Sequence, residues 1–198
     1  GAESTPTKSR LRVPLVPPLS LVNRMTLTAF NQAYFLSQKQ KSGMGRSHYQ
    51  SYFYPLDGIL DWNRMYGPKG FYQYQLVVPY ESGMPAIKAI LHEIAVSGQG
   101  SFLSVLKTFG DVPSPGLLSF PMEGLTLALD FPNRGDITLQ LFRRIDAIVA
   151  EAGGRLYPAK DARMPAELFT AGYPHLPEFL PYRDPGLSSG FSKRVMGR

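Results

Sequence analysis

The sequence predicts an α+β fold built around an antiparallel sheet with helices on one face. The first observation is residues 71–79, FYQYQLVVP, in which polar and apolar residues alternate as they do in a half-buried strand. The second is residues 136–154, whose apolar residues recur at helical spacing before a glycine pair. The third is the glycine and proline between such segments, which marks loops.

The predicted elements then follow in a defined order: strand 71–79, helix 83–98, strand 101–110, strand 125–132, helix 136–154 and strand 155–159. The order βαββαβ is the split βαβ, or ferredoxin-like, arrangement. It predicts two helices on one face of the sheet. The other face stays open unless something covers it.

The residues before this sheet are predicted to form an extended segment, two helices and a loop. Residues 1–19 are polar and then dense in proline, which predicts an extended segment. Apolar residues at helical spacing over 21–39 predict an N-terminal helix. Residues 37–51 are polar and broken by glycine, which predicts a loop. A short helix is predicted over 58–66, with Asp57 as its cap.

The chain after residue 160 is predicted to be an irregular tail. Short apolar stretches alternate with prolines, and the sequence ends in the basic stretch FSKRVMGR. The segment is too short to bury a core of its own, so its apolar residues need a partner surface: Leu168, Phe169, Tyr173, Phe179, Leu180 and Phe191.

Composition narrows the function classes. The chain has no cysteine and three histidines without metal-ligand spacing, so we predict no metal site. The net charge of +6 comes from scattered residues rather than a dense basic stripe, so we expect no nucleic-acid partner. The charge fits an anionic substrate or an anionic membrane surface. No signal peptide or membrane-spanning stretch is visible, so we expect a cytoplasmic protein.

Several polar residues occupy positions where a ligand would meet the sheet. Gln73 and Gln75 share one face of the first strand, which suits either a pocket wall or a solvated face. Lys107 shares a face with Val105 and Phe109, where a lysine must reach water or an anion. Lys160 follows the last strand and would be an ordinary solvated lysine if nothing else were known.

Four stretches carry a family resemblance: FYPLDGILDWNRMYGPKGFYQYQLVVP, SFLSVLKTFG, LLSFPMEGLTLALDFP and AGGRLYPAKDAR. In order and spacing they resemble the C-terminal part of FAD-linked oxidases of the vanillyl-alcohol-oxidase type. The resemblance implies that 20–158 is a substrate-binding domain. It implies that the tail, 159–198, belongs with an FAD-binding domain of the same polypeptide. This chain has no glycine-rich phosphate loop after a strand, so we expect that domain to be missing here.

The resemblance also implies a reaction. A secondary alcohol of a sugar or sugar-lipid is oxidised to a ketone, and its hydride goes to flavin N5. The implied substrate is an anionic sugar or a polyprenyl-phosphate sugar, which would bring the protein to the membrane periphery. The implied cofactor is FAD, held by the full-length protein and not by this chain alone. We therefore expect the 198-residue chain to be inactive by itself.

Residue roles follow from the same resemblance. It implies that Lys160 is catalytic and lies close to the flavin and the reacting hydroxyl, and that Tyr157 borders the flavin. The implied substrate-binding residues come from one helix and three strands: Tyr34, Gln73, Gln75, Val105, Lys107, Phe109, Thr126 and Ala128. Thr126 and Ala128 stand where relatives have polar or cysteine pocket residues. The missing cysteine alters the expected substrate fit.

Two other function classes stay open. A stand-alone ferredoxin-like module could bind an anionic small ligand without any cofactor. An RNA-binding domain of similar topology is a weaker alternative, because SFLSVLKTF lacks the basic-glycine-aromatic signature of such domains. A metal-dependent hydrolase is disfavoured by the dispersed carboxylates and the lack of a histidine pair at helical spacing.

Overall fold

The chain folds into two compact units, residues 1–70 and 71–198. The structure is a computed structural model. It describes residues 11–39, 43, 49, 54, 58–101, 103–161 and 163–197. The predicted loop over 37–51 lies largely outside the described residues, and so do Asp57 and residues 1–10. Each unit is described by itself below.

The described residues of the first unit form one long helix and a short parallel strand pairing. Strand β1 (Leu11–Arg12) pairs with β2 (Ile59–Leu60), and helix α1 (Arg24–Lys39) lies between them in sequence. The predicted N-terminal helix is therefore present. It begins where the Asn23 side chain accepts hydrogen bonds from the backbone N–H groups of the next turn.

The short helix predicted over 58–66 is present only in its second half. Residues 59–60 form β2, and a 3₁₀ helix follows at Trp62–Tyr66. Pairing with β1 holds the chain extended, and Asp61 then takes a left-handed conformation with φ 57°. An α-helix cannot run through either feature, because both depart from the right-handed helical conformation.

The second unit is built on a four-stranded antiparallel sheet, which confirms the predicted α+β class. Its strands are β3 (Phe71–Val78), β4 (Ser104–Phe109), β5 (Gly124–Pro132) and β6 (Arg155–Leu156). They lie side by side in the order β4-β5-β3-β6, and every neighbouring pair is antiparallel.

Two helices pack on one face of this sheet and complete the hydrophobic core. Helix α2 (Tyr80–Val96) follows β3, and helix α3 (Asp136–Glu151) follows β5, so the predicted order βαββαβ is observed. Alternate strand residues such as Leu76 and Leu127 are buried with Ile90 of α2 and Phe142 of α3. Because strand side chains alternate between faces, the residues between them point to the other face.

Strand β6 is shorter than the sequence predicts. The prediction runs to 159, but β6 pairs only with Leu76 and Val77. Pro158 has no backbone N–H and begins a 3₁₀ helix, Pro158–Lys160, so the strand pairing cannot continue. Residue 157 still donates its backbone N–H to the carbonyl of Gln75 at 2.9 Å. The loop after β6 therefore runs beside β3.

The C-terminal segment is more regular than predicted. It contains α4 (Ala166–Gly172), α5 (Leu176–Phe179) and α6 (Gly190–Met196). Several of its residues are buried in the same core as the sheet: Met164, Leu168, Phe169, Tyr173, Leu176 and Val195. Part of its apolar surface is thus used within the chain. That the segment belongs with a separate FAD-binding domain stays a prediction.

Candidate functional site

Most of the predicted site residues lie on the sheet face that points away from the helices. Residues directly opposite each other in an antiparallel pair share a face. The register pairs Gln73 with Asp130 and Gln75 with Ala128, and Lys107 with Thr126. This face, here called the polar face, therefore carries seven predicted residues: Gln73, Gln75, Val105, Lys107, Phe109, Thr126 and Ala128.

Hydrogen bonds order the middle of the polar face. The Gln75 Nε2 atom donates to the Thr126 hydroxyl at 3.2 Å. That hydroxyl donates in turn to the Leu76 carbonyl at 2.8 Å. Thr126 is only 2% exposed. Its side chain therefore fixes the orientation of Gln75, and Gln75 is the more accessible of the two.

Asp130 is the main residue that the sequence analysis missed. Its carboxylate is 3% exposed, and its Oδ1 accepts a hydrogen bond from Gln73 Nε2 at 3.2 Å. Its Oδ2 has no hydrogen-bond partner among the described residues. The signal was present in the strand LTLALDFP, because Asp130 continues the period-two series that Thr126 and Ala128 begin.

Burial raises the pKa of the Asp130 carboxyl, and the hydrogen bond from Gln73 and the charge of Lys160 oppose that shift. The raised pKa means that the folded protein holds this proton more tightly than the unfolded chain does. The stability that protonated Asp130 contributes is complete below the ordinary aspartate pKa. It is lost as the pH rises through the folded pKa.

Asp130→Asn should therefore remove part of the pH dependence of stability. Relative to the variant, the wild-type chain is expected to become less stable as the pH is raised from about 4 to 7, because only the wild type must then bury a charge. Urea unfolding at both pH values checks this. A difference between the two proteins that does not change with pH, or changes in the opposite direction, would contradict it.

Lys160 lies in the 3₁₀ helix beside the edge of β3. Its backbone N–H donates to the Tyr157 carbonyl at 3.1 Å, and its side chain is partly exposed. Its ammonium has no hydrogen bond or ion pair with any residue that the structure describes. It lines a small cavity of about 20 Å³ together with Gln73, Gln75 and Tyr157. That volume is about the space of one water molecule.

The residues after Lys160 are held firmly. The Asp161 carboxylate accepts the Arg163 backbone N–H at 2.8 Å and also pairs with Arg194. The Arg163 guanidinium pairs with Asp146 of α3, with one N–O distance of 2.8 Å. It lies 4.9 Å from the ring centre of Phe142. Among the described residues, Lys160 of this stretch has no ion-pair partner, whereas Asp161 and Arg163 are paired and fix the loop.

Aromatic rings link Tyr157 to the polar face. Tyr157 stacks on Phe120 with ring centres 4.6 Å apart, and Phe120 meets Phe109 of β4 edge-on at 6.0 Å. Phe120 is 5% exposed and was not predicted as a site residue. No pattern in its proline-rich loop marked it. The three rings form an apolar wall that joins β4 to the loop after β6.

Two predicted residues take no part in the hydrogen bonds and ring contacts described above, although Lys107 shares the polar face. Lys107 is exposed on the edge strand β4, so its charge is solvated and carries no burial cost. Tyr34 belongs to the first unit, where it is 58% exposed and stacks on Phe30 at 6.1 Å. Its place in a substrate pocket stays a prediction, and so do the roles of the other predicted residues.

The geometry limits what this chain could contribute to a flavin site. A cavity of about 20 Å³ cannot enclose an isoalloxazine ring, whereas ligand pockets usually measure about 300–1,000 Å³. Lys160 and Tyr157 nevertheless lie at the rim with an unpaired ammonium and a partly exposed ring. These groups suit one wall of a flavin site, with the other walls coming from elsewhere. Within the described residues no group of metal-ligating side chains is positioned to hold an ion.

The chain resembles several curated proteins, including an oxidase and an uncharacterized protein. The chain is 39% identical over 176 residues, 87% of its length, to decaprenylphosphoryl-beta-D-ribose oxidase of Mycolicibacterium smegmatis. It is 40% identical over 93 residues, 47% of its length, to an uncharacterized protein of Streptomyces coelicolor. It spans only 37% and 25% of these two proteins. The first match confirms the resemblance to an oxidase.

Family models and solved structures give no further information on the function of the chain. No family model matches the chain. The solved structure of prephenate dehydratase from Streptococcus mutans covers 43% of this chain and 39% of its own at 12% identity. Its TM-score of 0.29 carries no argument about fold or function. In the described part of the chain, no helix has the length and apolar character needed to cross a membrane.

Proposed function

We propose, from its relationship to decaprenylphosphoryl-beta-D-ribose oxidase, that this chain is the substrate-binding portion of an FAD-dependent oxidoreductase. The enzyme would oxidise a secondary alcohol of a sugar or sugar-lipid, and the chain would be inactive without its FAD-binding domain. The substrate would be an anionic sugar or a polyprenyl-phosphate sugar, which would bring the enzyme to the periphery of a membrane.

The observation that carries the proposal is the gathering of residues on the polar face. Seven residues singled out from the sequence share that face through strand register. Lys160 and Tyr157 adjoin it across the edge of β3, where the Tyr157 backbone donates to Gln75. These residues are separated by up to 87 positions in the chain, so their common location supports one binding surface rather than scattered surface polarity.

The side chains suit an alcohol as substrate. FAD, when bound, accepts the hydride that leaves the carbinol carbon, and the hydroxyl proton would pass to a base or a hydrogen-bond network. The unpaired ammonium of Lys160 would donate a hydrogen bond to the reacting oxygen and hold it in place. Gln75, oriented by Thr126, would donate or accept a bond with a neighbouring hydroxyl. The wall of Phe109, Phe120 and Tyr157 would exclude water from one side of the sugar.

The proposal is tested by flavin binding. Absorbance and fluorescence would be recorded for the 198-residue chain and for the parent protein extended upstream. Flavin held only by the longer protein supports the proposal. If neither protein holds flavin, the oxidase function fails. A stand-alone module for an anionic ligand is then the better interpretation.

Lys160→Ala in the longer protein is the accompanying prediction. The rate of substrate-driven flavin reduction is expected to fall about tenfold to a hundredfold, the usual value of one hydrogen bond to a charged group. Lys88→Ala removes an exposed lysine from α2, on the other side of the sheet, and serves as the control. Equal rates for the two variants would argue against a role for Lys160.

A further inference from the structure

We propose that Asp130 and Lys160 together bind one hydroxyl group of the substrate, with Asp130 Oδ2 accepting the hydroxyl hydrogen and Lys160 donating to the hydroxyl oxygen. This inference rests on the proposed function for the identity of the ligand as a sugar. It adds Asp130, which was not among the predicted site residues, as a residue that contacts substrate and selects for it.

The first argument is the unequal use of the two carboxylate oxygens. Oδ1 accepts from Gln73 at 3.2 Å, and the backbone N–H of Asp130 donates to the Ser101 hydroxyl at 2.7 Å. These two bonds fix both the strand and the rotation of the carboxylate. Oδ2 is buried and has no partner within the described ranges. A buried carboxylate oxygen without a partner is unfavourable, and a ligand hydroxyl that donates to it would remove that cost.

The second argument is the position of Lys160. Its charge acts on Asp130 and favours the ionised carboxylate. Even so, no ion pair within 4.0 Å joins the two in the part of the chain that the structure describes. Gln73, which donates to Oδ1 of Asp130, also lines the small cavity with Lys160, so the two charged groups lie on either side of one residue. An oxygen that hydrogen-bonds both groups spans about 5–6 Å between them.

The third argument is chemical complementarity. A hydroxyl has one hydrogen to donate and lone pairs that accept, so it satisfies an acceptor and a cation at once. A phosphate or carboxylate has only acceptors at neutral pH and would be repelled by Asp130. An anionic group of the substrate is therefore better placed near Lys107, which lies opposite Thr126 in the pairing of β4 with β5. Thr126 lies four residues from Asp130, about 13 Å along β5.

The experiment uses ribose 5-phosphate, a pentose with free hydroxyls and a phosphate, as the probe. Its binding to the 198-residue chain is measured by calorimetry for the wild type, Asp130→Asn and Asp111→Asn. Gln73 fixes the asparagine oxygen at the position of Oδ1, so an N–H donor replaces the Oδ2 acceptor. The affinity is expected to fall about tenfold or more in Asp130→Asn. It should stay unchanged in Asp111→Asn, which loses an exposed charge.

Stability separates this role from a structural one. Asp130→Asn should be at least as stable as the wild type at pH 7, so weaker binding by a stable variant would support the proposal. Unchanged affinity in Asp130→Asn would overturn it, and so would a wild type that does not bind the sugar phosphate.

Flavin binding by the longer protein reports on the oxidase function separately. A flavin-loaded enzyme whose sugar affinity does not depend on Asp130 would retain the function and discard this inference. If sugar binding depends on Asp130 but neither protein holds flavin, this inference stands and the oxidase function fails.

Discussion

Asp146→Ala is expected to lower the free energy of unfolding by about 3–5 kcal/mol, the range for breaking a buried ion pair by removing one partner. Asp146 is 7% exposed and accepts hydrogen bonds from Arg163 and, at 2.7 Å, from the Tyr74 hydroxyl. The substitution leaves a guanidinium without its counter-charge among aromatic rings. It also leaves the Tyr74 hydroxyl, which is buried, without its acceptor.

Chemical denaturation of three variants tests this expectation. Glu151→Ala, at the exposed end of the same helix, is the control and should change stability by less than about 0.5 kcal/mol. The double variant Asp146→Leu with Arg163→Met replaces the pair by apolar groups of similar size. It should recover much of the loss, because the pair itself adds little net stability. A loss below about 1 kcal/mol in Asp146→Ala would contradict the role assigned to this pair.

Gly124→Ala is expected to cost about 3 kcal/mol or more, from backbone strain and a steric clash together. Gly124 begins β5 with φ 149°, a conformation that residues with a Cβ rarely adopt. A Cβ atom there would lie 2.0 Å from the Val78 carbonyl oxygen. That oxygen is backbone, so relief requires movement of β3 itself and cannot come from a side-chain rotation.

Gly110→Ala is the matched control for this clash. A Cβ at Gly110 meets no atom within 4 Å, and its φ lies outside the strained range. We expect stability to stay within about 0.5 kcal/mol of the wild type or to rise slightly, because alanine restricts the unfolded chain. Thermal unfolding of both variants gives the comparison. Equal melting temperatures would mean that β5 can shift at little cost.

The sheet was predictable because its signals are local. Alternation in FYQYQLVVP and LTLALDFP identifies the two central strands, and helical spacing identifies α2 and α3. The same alternation put Gln73 and Gln75 on one face, and the register agrees. Asp130 could have been found by extending the alternation of Thr126 and Ala128 by one step.

Other features could not be predicted because their causes are distant in sequence. Residues 59–60 become a strand only through pairing with Leu11–Arg12. The pairing of Arg163 with Asp146 joins a loop to the buried side of a helix, and no spacing rule marks such a pair. The apolar residues of the C-terminal segment signalled a need for burial. Their partner surface, the core of the sheet itself, depends on the folded topology.

The attachment of the Lys160 loop at both ends has a consequence for evolution and design. On one side the backbone of Tyr157 donates a hydrogen bond to β3. On the other side Asp161 pairs with the guanidinium of Arg194, and Arg163 pairs with the carboxylate of Asp146. The loop is therefore preorganised, and a ligand does not have to order it. If the proposed function holds, substitutions at Asp161 or Arg163 would shift Lys160 without touching the ligand, and at Arg163 they would also break the pair with Asp146 and lower stability.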